Sequence, residues 1–138
     1  MTLVVDASMA AAWFLPDEQA QATDAVLEQL RTLPGHVPSL FWFEIRSLLL
    51  IAERRGRLRP GEALVSVGQL RALSLTDEGS GSDGLVITLA AKHNLTGYDA
   101  SYLALALLQK AALATLDRAL ARAAQAEGLA VLGPLAQL

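Results

Sequence analysis

The chain has 138 residues and a formal net charge of −3, and 53% of it is apolar, mostly Ala and Leu, which favour helices. That length suits one domain, residues 1–138, with a sizeable core. The absence of cysteine excludes disulfides and thiolate metal sites, and two histidines, His36 and His93, are too few for a multi-histidine zinc site. An acidic balance argues against a general nucleic-acid coat, but not against an enzyme that touches a few phosphates. No apolar run is long enough to span a bilayer, and Met1-Thr2-Leu3 does not begin a secretory leader, so the chain reads as cytoplasmic with no membrane partner.

Residues 2–5 read as a central strand, apolar after Thr2 and ending on Asp6. A short helix follows from Ser8 to Leu15, stopped by Pro16, and a second runs from about Asp17 to Arg31 with Asp17 and Glu18 in its first turn. His36-Val37 is a brief strand candidate. Pro38-Ser39 opens a third helix that continues to Arg55, with Gly56 as its stop. Arg54, Arg55, Arg57 and Arg59 cluster there, either as ordinary helix-end cations or as a phosphate or partner contact. A fourth helix runs from Pro60-Gly61-Glu62 to about Ala72, and Leu73-Ser74-Leu75 is another possible strand.

Asp77 to Gly84 is polar and glycine-rich and reads as a mobile surface loop. Helices are expected from Asp83 to His93 and from Asp99 to Lys110. The strand Leu113-Ala114-Thr115-Leu116-Asp117 again ends on an aspartate. A helix to Glu127 and a short strand at Ala130-Val131-Leu132 complete the chain. Strands alternating with helices specify an α/β fold, a parallel sheet with helices on both faces.

The third helix is apolar on two stripes: Leu40, Glu44, Ser47, Leu48 and Ile51 on one, Trp42, Ile45, Leu49 and Ala52 on the other. Such a helix is either fully buried or half covered by a second subunit. The first stripe is expected to face the core, which would leave Glu44 buried and in need of a partner or a cation. The second is the expected homodimer face.

A carboxylate just past a parallel strand lies where open α/β sheets keep their ligand crevice. Asp6 and Asp117 both have that placement, Asp99 stands at a helix start, and Glu44 projects from a helix. Asp6, Asp99 and Asp117 each also have a plain reading as helix N-caps. Four clustered carboxylates repel one another, and divalent cations neutralise them. Oxygen-only ligands suit Mg²⁺ or Mn²⁺. The matching chemistry is phosphodiester hydrolysis, in which an ion activates water and the same ion or a second one offsets charge on the phosphate and the leaving oxygen. Ser8 and Thr115 are placed to hold the ligands or their waters, or to cap locally.

The segments Val4-Val5-Asp6-Ala7-Ser8, Phe43-Glu44-Ile45, Leu95 to Ala106 and Ala114 to Leu120, in that order, resemble the PIN-domain ribonucleases. The similarity is closest to the VapC-like toxins of type II toxin–antitoxin pairs, and the stretch Thr96-Gly97-Tyr98-Asp99-Ala100-Ser101-Tyr102 is its most specific part. The resemblance implies a sheet of four or five parallel strands and Mg²⁺- or Mn²⁺-dependent endoribonuclease activity on an RNA substrate. It also implies homodimers and a cognate antitoxin that covers the acidic groove. Carried over, Asp6, Glu44, Asp99 and Asp117 are the metal ligands and catalytic acids, with Thr115 the hydroxyl beside them. Many relatives have Asn three positions after the helix glutamate; here that position is Ser47, which with Ser8 would stand behind the ligands.

Other classes fit less well. A phosphoaspartate receiver would need an acid pair after the first strand and a lysine after a late one. An aspartyl phosphatase would want Asp where Ser8 stands. The competing reading is a catalytically inactive PIN-like module that binds a partner, and the presence of all four acids argues against it.

Overall fold

The computed structural model describes residues 1–137. The elements in chain order are β1 (Leu3–Val5), α1 (Ala7–Ala12), α2 (Gln21–Gln29), β2 (Gly35–Val37), α3 (Leu40–Arg54) and α4 (Glu62–Arg71). They continue with β3 (Leu75–Asp77), α5 (Asp83–His93), α6 (Gly97–Gln109), β4 (Ala112–Ala114), α7 (Arg118–Ala126) and β5 (Val131–Leu132). No helix among the described residues is long and apolar enough to cross a membrane.

All strand pairs are parallel, and the sheet order is β3-β2-β1-β4-β5, at the upper end of the expected strand number. Parallel crossovers are right-handed, so the face a helix covers depends on which way the chain moves across the sheet. From β1 to β3 it moves one way, which puts α1 to α4 on one face. It then returns past β1 to β4 and β5, which puts α5 to α7 on the other. The packing agrees: α1 lies on α3 and α3 on α4, while α6 lies between α5 and α7 and rests on β1, β2 and β4. The direction reverses between β1 and β4, the topological switch point at which such sheets place their ligand crevice.

The central strands β1 and β4 are short and fully apolar because they are covered on both faces: Leu3, Val4, Val5, Leu113 and Ala114 are all inaccessible to solvent. Gly35 is closely packed: a Cβ there would come within 2.7 Å of Leu30 Cδ2 and of Leu75 Cδ2, so a larger residue would force those two side chains to repack.

Several elements depart from the sequence expectation for tertiary reasons. Helix α1 stops at Ala12, where the chain turns so that the Trp13 indole donates to Thr23 O at 2.8 Å. The second helix begins at Gln21 instead of Asp17. Asp17 and Glu18 are held outside it by Arg57, and Thr23 bonds both the N–H and the carbonyl of the N-cap residue Ala20. Strand β3 lies at 75–77, two residues later than expected, paired with 35–37. Strand β4 ends at Ala114, which leaves Thr115 to Asp117 to form the turn into α7.

The two stripes of α3 are reversed. Trp42, Ile45, Leu49 and Ala52 are buried in the chain's own core, with Phe41 edge-on to Trp42 at 4.9 Å and the Arg71 guanidinium 3.5 Å above the Trp42 ring. The expected subunit face is therefore internal. The stripe expected to be inside is instead open: Ser47, Leu48 and Ile51 are exposed beside Phe43, while Leu40 and Glu44 are half-buried. Leu64 and Val65 on α4 are exposed as well.

Arg54 and Arg55 close α3, Gly56 follows with φ of +76°, Arg57 pairs with Asp17 and Glu18, and Arg59 lies 3.9 Å from Glu62. The loop after β3 is tied down at several points. Ser39 Oγ donates to Asp77 at 2.7 Å, Ser39 N–H donates to the Gly79 carbonyl, and His36 lies 2.8 Å from Glu78.

Candidate active site

Residue Val5 pairs with Ala114, and the Asp6 N–H donates to the Ala114 carbonyl at 3.1 Å, so β1 and β4 end side by side. The next residues of each strand meet there. Asp6 is 5% exposed and Thr115 is fully buried. Asp6 Oδ1 accepts from Ser8 Oγ at 2.7 Å and from the Met9 N–H at 2.9 Å, while Oδ2 accepts from Thr115 Oγ1 at 2.5 Å. The two hydroxyls in turn hold the β4 turn: Ser8 Oγ accepts from the Leu116 N–H at 3.1 Å, and Thr115 Oγ1 from the Asp117 N–H at 2.9 Å. A chain of donors thus runs from the Asp117 backbone through Thr115 to the Asp6 carboxylate. Each hydroxyl makes one local bond and one bond across the two strand ends.

Asp6 caps α1 through Met9, and Asp117 caps α7 through the Leu120 N–H at 2.9 Å. Their capping and site readings are therefore compatible. For Asp99 the cap reading is replaced. Thr96 caps α6 by accepting from the Asp99 N–H at 3.0 Å, and Asp99 stands within the first turn. Glu44, in the first turns of α3, accepts from the Tyr102 hydroxyl at 2.6 Å. Ser47 is exposed and makes no side-chain hydrogen bond among the described residues, so it does not support Glu44.

Burial pushes the Asp6 carboxyl up from its ordinary 3.8 to about 6; the bonds from Thr115, Met9 and Ser8 pull the other way, and Asp117 adds repulsion. Burial also raises Asp99, followed by the charges of Asp117 and then Glu44. Tyr102 is held far above the usual phenol range by burial first, then by its bond to Glu44, with the Asp6 charge adding to the effect. These mutual influences join Asp6, Glu44, Asp99 and Asp117 into one electrostatic unit. No three of them lie close enough to enclose an ion by themselves among the described residues. Both histidines are engaged elsewhere, His36 with Glu78 and His93 with Glu127 at 2.6 Å. The donors at this crevice are therefore oxygens alone, with excess negative charge, which is the chemistry of a hard divalent cation. By that criterion the residues fit Mg²⁺ or Mn²⁺.

Beside Glu44 an open groove of about 330 Å³ is lined by Leu40, Phe43, Glu44, Ser47, Leu48 and Tyr98. Tyr102 lies in the Thr96-to-Tyr102 stretch, and its place in the sequence alone carries no role for it. A tyrosine on the buried face of an apolar helix reads as core, and only the fold shows its hydroxyl meeting a carboxylate 58 positions away.

The sequence pattern of the PIN domain matches residues 3–126. Ribonuclease VapC3 of Pyrobaculum aerophilum is 37% identical over 125 residues, covering 88% of this chain and 93% of that protein. Among solved structures, PAE2754 from Pyrobaculum aerophilum is similar at a TM-score of 0.67 and 25% identity, over 89% of this chain and 79% of that one. FitAcB from Neisseria gonorrhoeae shares the fold at a TM-score of 0.63 and 16% identity, over 96% and 98% of the two chains. A toxin–antitoxin complex from Klebsiella pneumoniae does so at 0.61 and 17%, over 84% and 87%.

Proposed function

The chain belongs to the PIN-domain family, and from that premise we propose that it is a divalent-metal-dependent endoribonuclease, the toxin of a toxin–antitoxin pair. The observation that carries the reading is the carboxylate cluster at the switch point: Asp6 just past β1 and Asp117 at the turn that follows β4, electrostatically joined to Asp99 and Glu44.

A Mg²⁺ or Mn²⁺ ion held by Asp6, Glu44, Asp99 and Asp117 would supply Lewis acidity to a water and to the scissile phosphate. The protein's own part is orientation and charge. Ser8, Met9 and Thr115 fix both Asp6 oxygens, so this acid is preorganised and does not swing. Thr115 spends its proton on Asp6 and therefore acts as an orienting group, not as a proton donor to substrate. Asp99 and Glu44 are half-exposed and stand on the solvent side of the cluster, where a phosphate must arrive.

The groove beside Glu44 offers an antitoxin an apolar track with an acidic end, suited to a segment that brings apolar side chains and one Arg or Lys. The exposed row of Leu48 and Ile51 on α3 with Leu64 and Val65 on α4 is the face assigned to a second copy in a homodimer. The place of action is the cytoplasm, where RNA and antitoxin are met. Incubating the protein with an RNA pool and mapping new ends, with Mg²⁺ or Mn²⁺ and with EDTA, tests the reading. New ends are expected only with metal, and equal cleavage in EDTA would overturn it.

A further inference from the structure

We infer that Tyr102 is a positioning residue: its phenol fixes the Glu44 carboxylate relative to the acids at the ends of β1 and β4, and so sets how tightly the divalent cation binds. The inference rests on the nuclease reading above and extends it to a side chain outside the acid cluster.

Among the described residues the Glu44 carboxylate receives no hydrogen bond except the one from Tyr102 Oη, at 2.6 Å. Ser47, one turn along, makes none. Arg46 turns away: its Nε donates to the Trp42 carbonyl, and its guanidinium lies 4.9 Å from the Phe43 ring centre. A half-exposed glutamate with no other tether would sample several rotamers, and an ion that needed it would have to order it at an entropic cost.

Tyr102 is itself 1% exposed and packed into the core. It lies three positions after Asp99 on α6, so the phenol and the Asp99 carboxylate occupy one helix face. The hydrogen bond therefore links α6, which carries Asp99 and rests on β1 and β4, to α3, which carries Glu44 on the opposite side of the sheet. A phenol donating to a carboxylate is a strong, directional bond. A buried tyrosine needs some partner for its hydroxyl, and a backbone carbonyl would have served. Here the partner is Glu44, a cluster acid that its neighbours on α3 do not hold.

Tyr102→Phe keeps the ring and removes only the hydroxyl. Isothermal titration of the intact protein with Mn²⁺ should show the affinity weakened about 10-fold or more, with the Tm in EDTA little changed. Cleavage by the variant should recover at high Mn²⁺. In a Glu44→Gln background, adding Tyr102→Phe should weaken Mn²⁺ binding no further. A purely structural tyrosine predicts the opposite, a lowered Tm in EDTA with unchanged affinity, and that result would overturn the inference. A second measurement leaves position 102 intact. In Tyr98→Phe, Tyr102 is the sole tyrosine. Its near-ultraviolet absorption should shift as Mn²⁺ binds and saturate with the same affinity; an unchanged spectrum at saturation would overturn the inference. Failure of the wild type to bind Mn²⁺ or to cleave RNA would remove the nuclease reading and this one together. A wild type that binds and cleaves, beside a Tyr102→Phe of equal affinity, would remove this one alone.

Discussion

Replacing Asp6 by Asn probes the cost of holding a charge at the centre of this fold. In the metal-free protein Asp6 binds its proton more tightly folded than unfolded, its pKa moving from 3.8 to about 6 through burial. Below the unfolded value the group is neutral in both states and costs nothing. As pH rises between the two values the folded state retains a proton that the unfolded chain has lost, so stability falls. Above about 6 the penalty is complete, and at about 1.4 kcal/mol per pH unit it amounts to about 3 kcal/mol. Asn removes that term at every pH. It also places an amide NH₂ opposite Thr115 Oγ1, which now donates to Oδ2, at a cost of about 1 kcal/mol that does not vary with pH. The stability difference, variant minus wild type, should therefore rise by about 2 kcal/mol from pH 4 to pH 7, the part of the penalty that develops in that window, whatever its absolute value. Urea unfolding of both proteins in EDTA across that range measures it. A difference that stays flat with pH would refute the reasoning, since it would mean that the charge on Asp6 is already compensated in the fold.

Four further outcomes follow from the same geometry. Thr115→Val should lower stability by about 2 kcal/mol at neutral pH, because the buried Asp6 and the part-buried Asp117 N–H each lose a partner; denaturant titration checks it, and an unchanged midpoint would contradict the bond network. Leu49→Glu should abolish folding by placing a charge in the core, whereas Leu48→Glu with Ile51→Glu should leave the fold intact and yield monomer in sedimentation; a folded Leu49→Glu protein would contradict the assigned faces of α3. Mg²⁺ or Mn²⁺ should raise the Tm of the wild type more than that of Asp99→Asn, and equal stabilisation would remove Asp99 from the ligand set. A partner purified with the protein from its native host should dissociate more readily as salt rises; salt-independent binding would argue against a basic side chain in the acidic groove.

How much of this was legible in the sequence varied with the range of the forces involved. The end of β1 was readable because an all-apolar run meeting a carboxylate is a local pattern, and Asp6 stands where it placed it; β4 instead ends at Ala114, and Asp117 caps α7 beyond the turn. The start of α2 was misread because Pro16-Asp17-Glu18 is a sound local opening, but Arg57, far along the chain, takes both acids. The orientation of α3 could not be read at all: both stripes are apolar, and only packing against α1 and α4 decides which turns inward. The same holds for Tyr102, whose hydroxyl finds Glu44 through the crossover of the sheet and not through any spacing on its own helix. Loop 77–84 looked loose by composition, yet its serine and aspartate side chains supply the bonds that anchor it.

The most direct test of the central claim is the initial rate of cleavage of one mapped single-stranded RNA by wild type, Asp6→Asn and Asp99→Asn, each in Mn²⁺ and in EDTA. The account predicts cleavage by wild type in Mn²⁺ alone, with both variants folded and reduced by about 10²-fold or more. Cleavage by either folded variant at the wild-type rate, or by wild type in EDTA, would contradict it.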